Sequence, residues 1–208
     1  MSSFADAEKR LLLSLARRAL TLAVERNAYL TEFPADAFLH VPGGAFVTLR
    51  VGRRLRGCIG RLPSAAVPVS LAEAVATCAR SAALEDPRFS PVAPGELSQI
   101  EIELSLLSPL FDIPPEEIVA GRHGLFVSRG PSRGVLLPQV ATEFQWTASR
   151  FLEETCVKAG LARDAWNLTG TRIEAFTAEI FSEGEFREGK KAGPGIDPGP
   201  GKSYSSST

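Results

Sequence analysis

Phe46-Val47-Thr48-Leu49-Arg50-Val51, Gly52-Arg53-Arg54 and Leu55-Arg56-Gly57-Cys58-Ile59-Gly60-Arg61-Leu62 follow one another as strand, turn and strand. β-branched and aromatic residues fill the first run and glycine opens the turn, so a hairpin is expected. Gln99 to Leu107 alternates strictly, with Ile100, Ile102, Leu104 and Leu106 on one face and Glu101, Glu103 and Ser105 on the other. That pattern predicts a half-buried strand whose polar side faces water. Leu125 to Ser128 and Val135 to Leu137 pair across a turn at Gly130 to Gly134 as a second hairpin, and Arg172 to Phe181 reads as a final strand.

Helical spacing separates these strands. Leu12, Leu15, Ala16, Ala19, Leu22 and Ala23 make an apolar stripe, which leaves Lys9, Arg10, Arg17 and Arg18 as solvated cations on the outer side. Ser70-Leu71-Ala72-Glu73 has the reciprocal capping pattern that opens a helix, and Leu71, Val75, Cys78, Ala79 and Ala82 form its buried side up to Asp86-Pro87. Pro114 and Pro115 start a short turn, and a helix over roughly Thr147 to Ala159 buries Phe151, Leu152, Thr155 and Cys156. Strands and helices mix without regular βαβ alternation, so the class is α+β with a mainly antiparallel sheet.

The chain has 208 residues, 44% of them apolar, enough for a packed core. Residues 1–188 are expected to form the domain. From Gly189 to Thr208, five glycines, three prolines and four serines leave too little apolar surface to offset ordering entropy, so a disordered tail is expected. Lys and Arg total 23 against 24 Asp and Glu, a formal net charge of -1, which argues against a nucleic-acid partner. No apolar run approaches the roughly 18 residues of a membrane span. Three widely spaced cysteines argue against a disulfide framework or a zinc ribbon, and a reducing cytoplasm is expected. Neither a metal site nor a cofactor motif is evident: Gly-x-Gly-x-x-Gly, a phosphate loop and His-Glu-x-x-His are all missing.

The hairpin's second strand is the unusual one. Glycines inside a strand mark a bulge or a close approach by backbone or ligand, which singles out Gly57 and Gly60. Alternation puts Arg56 and Cys58 on one face, where a guanidinium can favour a thiolate or hold a carboxylate or phosphate. Cys58 is thus a candidate nucleophile and Arg56 a candidate anion anchor. His123, at a strand entrance between Arg122 and Gly124, is a candidate base or ligand contact. Gln139 and Glu143 share a helix face one turn apart, offering an amide and a carboxylate to a cleft. Cys78 and Cys156 read as core.

Taken together, Leu55-Arg56-Gly57-Cys58-Ile59-Gly60, Leu84-Glu85-Asp86-Pro87-Arg88-Phe89, His123-Gly124-Leu125 and Leu136-Leu137-Pro138-Gln139-Val140-Ala141 resemble the AMMECR domain family, called in bacteria AmmeMemoRadiSam system protein A. The resemblance runs from roughly Glu8 to Glu183 and departs at Arg61-Leu62-Pro63, where relatives often have a small polar residue and an aromatic. It implies two β/α repeats sharing one barrel-like sheet with flanking helices, and a cleft lined by the Leu-Arg-Gly-Cys-Ile-Gly motif. Arg56, Gly57, Gly60, His123 and Gln139 are then ligand-binding candidates for a small anionic group, and Cys58 and Glu143 catalytic ones. It also implies a Memo-like protein and a radical S-adenosylmethionine enzyme as partners of a cytoplasmic accessory or catalytic component. It delivers no reaction, and a non-enzymatic nucleotide- or RNA-binding or protein-interaction module is the alternative.

Overall fold

A computed structural model describes residues 3–63 and 67–187, so the expected tail lies outside the described residues. The chain opens with α1 (Asp6–Arg26), whose first turn carries Asp6 and Glu8 toward the positive helix end and which stops at Asn27 in the left-handed region. The first hairpin, β1 (Gly44–Val51) and β2 (Arg54–Arg61), is followed by α2 (Leu71–Leu84). Ser70 accepts from the Glu73 amide while Glu73 reaches back to the Ser70 amide, the expected capping pair. Then come β3 (Ile100–Leu107), the two-residue β4 (Phe111–Asp112), the second hairpin β5 (Gly124–Arg129) and β6 (Ser132–Leu136), α3 (Pro138–Glu143), α4 (Ala148–Lys158), β7 (Arg172–Phe176) and β8 (Ala178–Ser182).

The α+β class and the antiparallel pairing are as expected. The sheet differs: the ladders form two open four-stranded sheets, β2-β1-β3-β8 and β4-β7-β5-β6, rather than one barrel-like sheet. The cause lies at two crossings. After β3 the chain passes to the second sheet as β4, and after β7 it returns to the first as β8, so each sheet takes its fourth strand from the other half. The crossings are bonded to one another, Ser108 N–H donating to the Thr177 carbonyl at 2.9 Å and Thr177 N–H to Ser108 Oγ at 2.9 Å. Thr177 therefore divides the single strand expected over Arg172 to Phe181.

Removing the exchanged strands exposes the repeat. Hairpin β1–β2, helix α2 and strand β3 correspond to hairpin β5–β6, helix α4 and strand β7, with the third strand always beside the first of the hairpin. Both hairpins turn through two residues, Gly52-Arg53 and Gly130-Pro131, with the glycine at positive φ. Positive φ at the first turn position alone is the type II′ geometry that matches strand twist.

Each repeat has its own core. Leu12, Leu15 and Leu20 of α1 and Leu71 and Val75 of α2 bury against Val47, Leu49, Ile102 and Leu104. Phe151, Leu152 and Cys156 of α4 bury against Leu125, Val127 and Ala175. The outer side of the first sheet is drier than the alternation predicts, with Ser105 and Thr48 buried. Arg17 is likewise no solvated cation: it is half-buried, paired with Glu183, and donates to the Leu97 and Ile100 carbonyls at 3.1 and 2.7 Å. No helix among the described residues is long and apolar enough to cross a membrane.

Candidate functional site

Strand β2 is an edge strand, and its local form follows from its glycines and one extra residue. Leu49 pairs with Gly57 but Arg50 with Leu55, so Arg56 is the bulged residue and its side chain leaves the ladder sideways. Its guanidinium forks onto Glu96, Nε to Oε1 at 2.8 Å and Nη2 to Oε2 at 3.0 Å, and donates to the Ser90 and Pro91 carbonyls at 2.9 and 3.3 Å. That hydrogen-bonded pairing raises the Arg56 pKa and holds Glu96 down at about 2. A guanidinium has five N–H donors, so this one, expected as an anion anchor, is nearly spent on its own chain.

Gly57 is required by packing. A Cβ there would strike the Ala82 carbonyl at the end of α2, so the glycine is the seat for that helix. Gly60 faces Phe46 across the ladder, and the Phe46 ring occupies the space a side chain would fill.

Cys58 pairs with Thr48 and is half-buried, its Sγ accepting from Thr48 Oγ1 at 3.3 Å. The N–H and C=O of Cys58 point outward from the edge of the sheet. Asp86 Oδ2 accepts from that N–H at 2.8 Å, and Arg88 Nη2 donates to that C=O at 3.0 Å. Asp86 and Arg88 are themselves joined, Nε to Oδ1 at 2.9 Å and Nη2 to Oδ2 at 2.7 Å, and the Arg88 amide adds a third bond to Oδ1 at 3.1 Å. Asp86 is buried, yet the Arg88 guanidinium, and after it the Cys58 and Arg88 amides, keep its carboxyl far below the usual carboxylate range. The two sequence motifs are thus one structural unit, in which the segment after α2 closes the open edge of β2.

The remaining candidates sit in the other half. His123 precedes β5, is buried, and takes the Val119 N–H on Nδ1 at 3.2 Å, which leaves the proton on Nε2 of a neutral ring. Burial, and then the charge of Arg122, lowers its pKa. Gln139 follows Pro138 at the start of α3, with Oε1 buried and without a hydrogen-bond partner among the described residues. Glu143 ends the same helix and is exposed. Helix α3 packs on β5, whereas β2 packs on β1 and α2, and no hydrogen bond among the described residues joins Cys58 to His123, Gln139 or Glu143. The thiol therefore has the Thr48 hydroxyl and the Arg88 guanidinium for neighbours, and neither is a base. Burial pushes the Cys78 thiol up to about 11 and raises that of Cys156 as well, as expected for core cysteines.

A groove of about 1100 Å³ lies between the halves. Leu62 and Pro63, just beyond the end of the motif strand, and Pro109 and Leu110, after β3, form its first wall, and Phe126, Ser128, Arg133, Arg172 and Glu174 form the second. Arg172 is held by Asp112 at 2.9 Å and Glu174 at 3.3 Å, while Arg133 has no ion-pair partner among the described residues. Asp86, Arg88 and Glu96 are not singled out by the sequence, although Asp86 and Arg88 lie within Leu84-Glu85-Asp86-Pro87-Arg88-Phe89. Their signal was charge in a loop, which carries no role until the opposing strand is known.

A family model described as AMMECR1 matches residues 13–181. A protein of Thermofilum pendens is 42% identical over 202 residues, covering 88% of this chain and 93% of that protein. One from Thermococcus gammatolerans is 45% identical over 185 residues, covering 83% and 88%. The crystal structure of an uncharacterized protein from Pyrococcus horikoshii is similar with a TM-score of 0.76 at 40% identity, covering 86% of this chain and 93% of that one.

Proposed function

Because the chain belongs to the AMMECR1 family, we propose that it is a cytoplasmic accessory component that acts by binding, beside a Memo-like protein and a radical S-adenosylmethionine enzyme, and not by catalysis of its own. The partners come from the family resemblance. What carries the accessory role is that the motif's polar groups are turned inward: Arg56 is tied to Glu96, the Cys58 backbone to Asp86 and Arg88, and the Cys58 thiol to Thr48. The candidate bases, His123 and Glu143, lie in the other half from Cys58, and the guanidinium beside the thiol, that of Arg88, is tied to Asp86 and to the Cys58 carbonyl. A small anionic group belongs in the groove, where Arg133 has no ion-pair partner among the described residues, and not on Arg56.

The test is reconstitution. The purified chain is mixed with the Memo-like protein and the radical enzyme of the same organism, and complex formation is followed by light scattering on a sizing column. A complex should form, and Cys58→Ala and Glu143→Ala should leave both the complex and the radical enzyme's turnover unchanged. A chain that joins neither protein contradicts the accessory reading. A Cys58→Ala variant that binds normally but abolishes turnover would restore the catalytic one.

A further inference from the structure

We propose that the free edge of β6 is a docking site for an extended, acidic segment of a partner protein, which adds to the second sheet as a further strand. The argument begins with hydrogen-bond parity. Arg129 and Ser132 close the two-residue turn as a bonded pair, so Val127 with Gly134 is bonded and Ser128 with Arg133 and Phe126 with Val135 are not. The N–H and C=O groups of Arg133 and Val135 therefore point away from β5. No strand lies beyond β6 in the sheet order, and among the described residues no side chain or loop bonds those four groups.

The equivalent edge in the first repeat shows what a closed version looks like. Gly57 and Gly134 both seat a helix, the second against the Thr155 carbonyl and the Ala159 amide of α4, which makes Val135 the counterpart of Cys58. The Cys58 backbone is met by Asp86 and Arg88 from the chain itself. The Val135 backbone is met by nothing among the described residues.

Side chains at this edge define the occupant. Arg133 and Val135 lie on the face shared with Phe126 and Ser128, which walls the groove, and Arg129 and Arg133 are exposed without ion-pair partners among the described residues. An added strand would lay alternate side chains on that face, an acidic one against Arg133 and an apolar one against Val135 and Phe126. Self-pairing is disfavoured, since it brings the Arg133 side chains of two copies within about 7–8 Å of one another.

Two synthetic heptapeptides test this on the full chain, with threonine at every second position and, on the face between, glutamate alternating with valine in one and lysine alternating with valine in the other. Binding is followed by amide spectra and hydrogen exchange. The acidic peptide should slow exchange at the Arg133 and Val135 amides, the lysine peptide should bind several-fold more weakly, and N-methylation along the acidic peptide's bonding edge should abolish binding. Val135→Pro removes an edge donor where proline is tolerated, so this variant should melt like wild type and lose the peptide. The proposal is overturned if neither peptide protects those amides, if Val135→Pro binds the acidic peptide as well as wild type does, or if β6 proves to pair with a second copy of the chain.

Discussion

Hairpins β1–β2 and β5–β6 share a turn type, a helix seated on a glycine, and a third strand alongside, but their outer edges end differently. The first is closed by Asp86 and Arg88, with Arg56 tying the same segment down through Glu96 and the Ser90 and Pro91 carbonyls. The second is bare among the described residues. Unpaired strand edges are a hazard that proteins cover or use. A motif that looks chemical, an arginine next to a cysteine between glycines, here contributes a seal, and the accessible edge lies in the half whose sequence drew less notice.

The comparison breaks first at the glycine seats. Gly57→Val and Gly134→Val each push a side chain into helix backbone, so each should cost about 3 kcal/mol or more, read as denaturant midpoint or lost soluble yield. Near-normal stability in either would mean the helices are not seated as described. Next is the seal. Asp86→Ala strips a buried carboxylate from the Cys58 amide and from Arg88, with an expected loss of about 2–3 kcal/mol, whereas Val135→Ala on the unsealed edge should cost under about 1 kcal/mol.

Acid should find the same asymmetry. Asp86 and Glu96 both have pKa values depressed by folding, so their contribution is complete above the unfolded carboxylate range near pH 4 and is lost as pH falls toward the folded values, about 2 for Glu96. Wild-type stability should therefore decline below about pH 4, and an Asp86→Asn, Glu96→Gln double variant, less stable at neutral pH, should show a flatter acid limb. A double variant with the wild-type acid profile would place the lost protons elsewhere. The smallest effect concerns a joint without a counterpart among the described residues of the first repeat. Between α3 and α4, Gln145 sits at φ 52°, with the stacked rings of Phe144 and Trp146 on either side. Gln145→Gly should relieve that backbone cost and raise stability by about 0.5–1 kcal/mol by thermal melting.

How much of this could be read from the chain depends on the distance over which each feature is decided. The Ser70 cap, the α2 and α4 stripes and the alternation of β3 are local, and the structure places them as read. The division at Thr177 was illegible because no glycine or proline interrupts Arg172 to Phe181, and only the bond to Ser108, far back in the chain, ends one ladder and starts the other. The candidate site failed for the same reason. Arg56 and Cys58 share a strand, which alternation shows, but what they do is set by Glu96, Asp86 and Arg88, and no spacing rule relates β2 to the segment that folds over it. His123 and Cys58 lie in different repeats, a separation that adjacency of motifs cannot reveal.

Amide hydrogen exchange at Cys58 and Val135 compares the two edges most directly, since both N–H groups point out of their sheets at equivalent positions. At a temperature where wild type and Asp86→Ala are both folded, the Cys58 amide should be protected in wild type and labile in the variant, and the Val135 amide labile in both. Equal protection of the two amides in wild type, or Cys58 protection that survives the loss of Asp86, would contradict the account of one sealed edge and one open one.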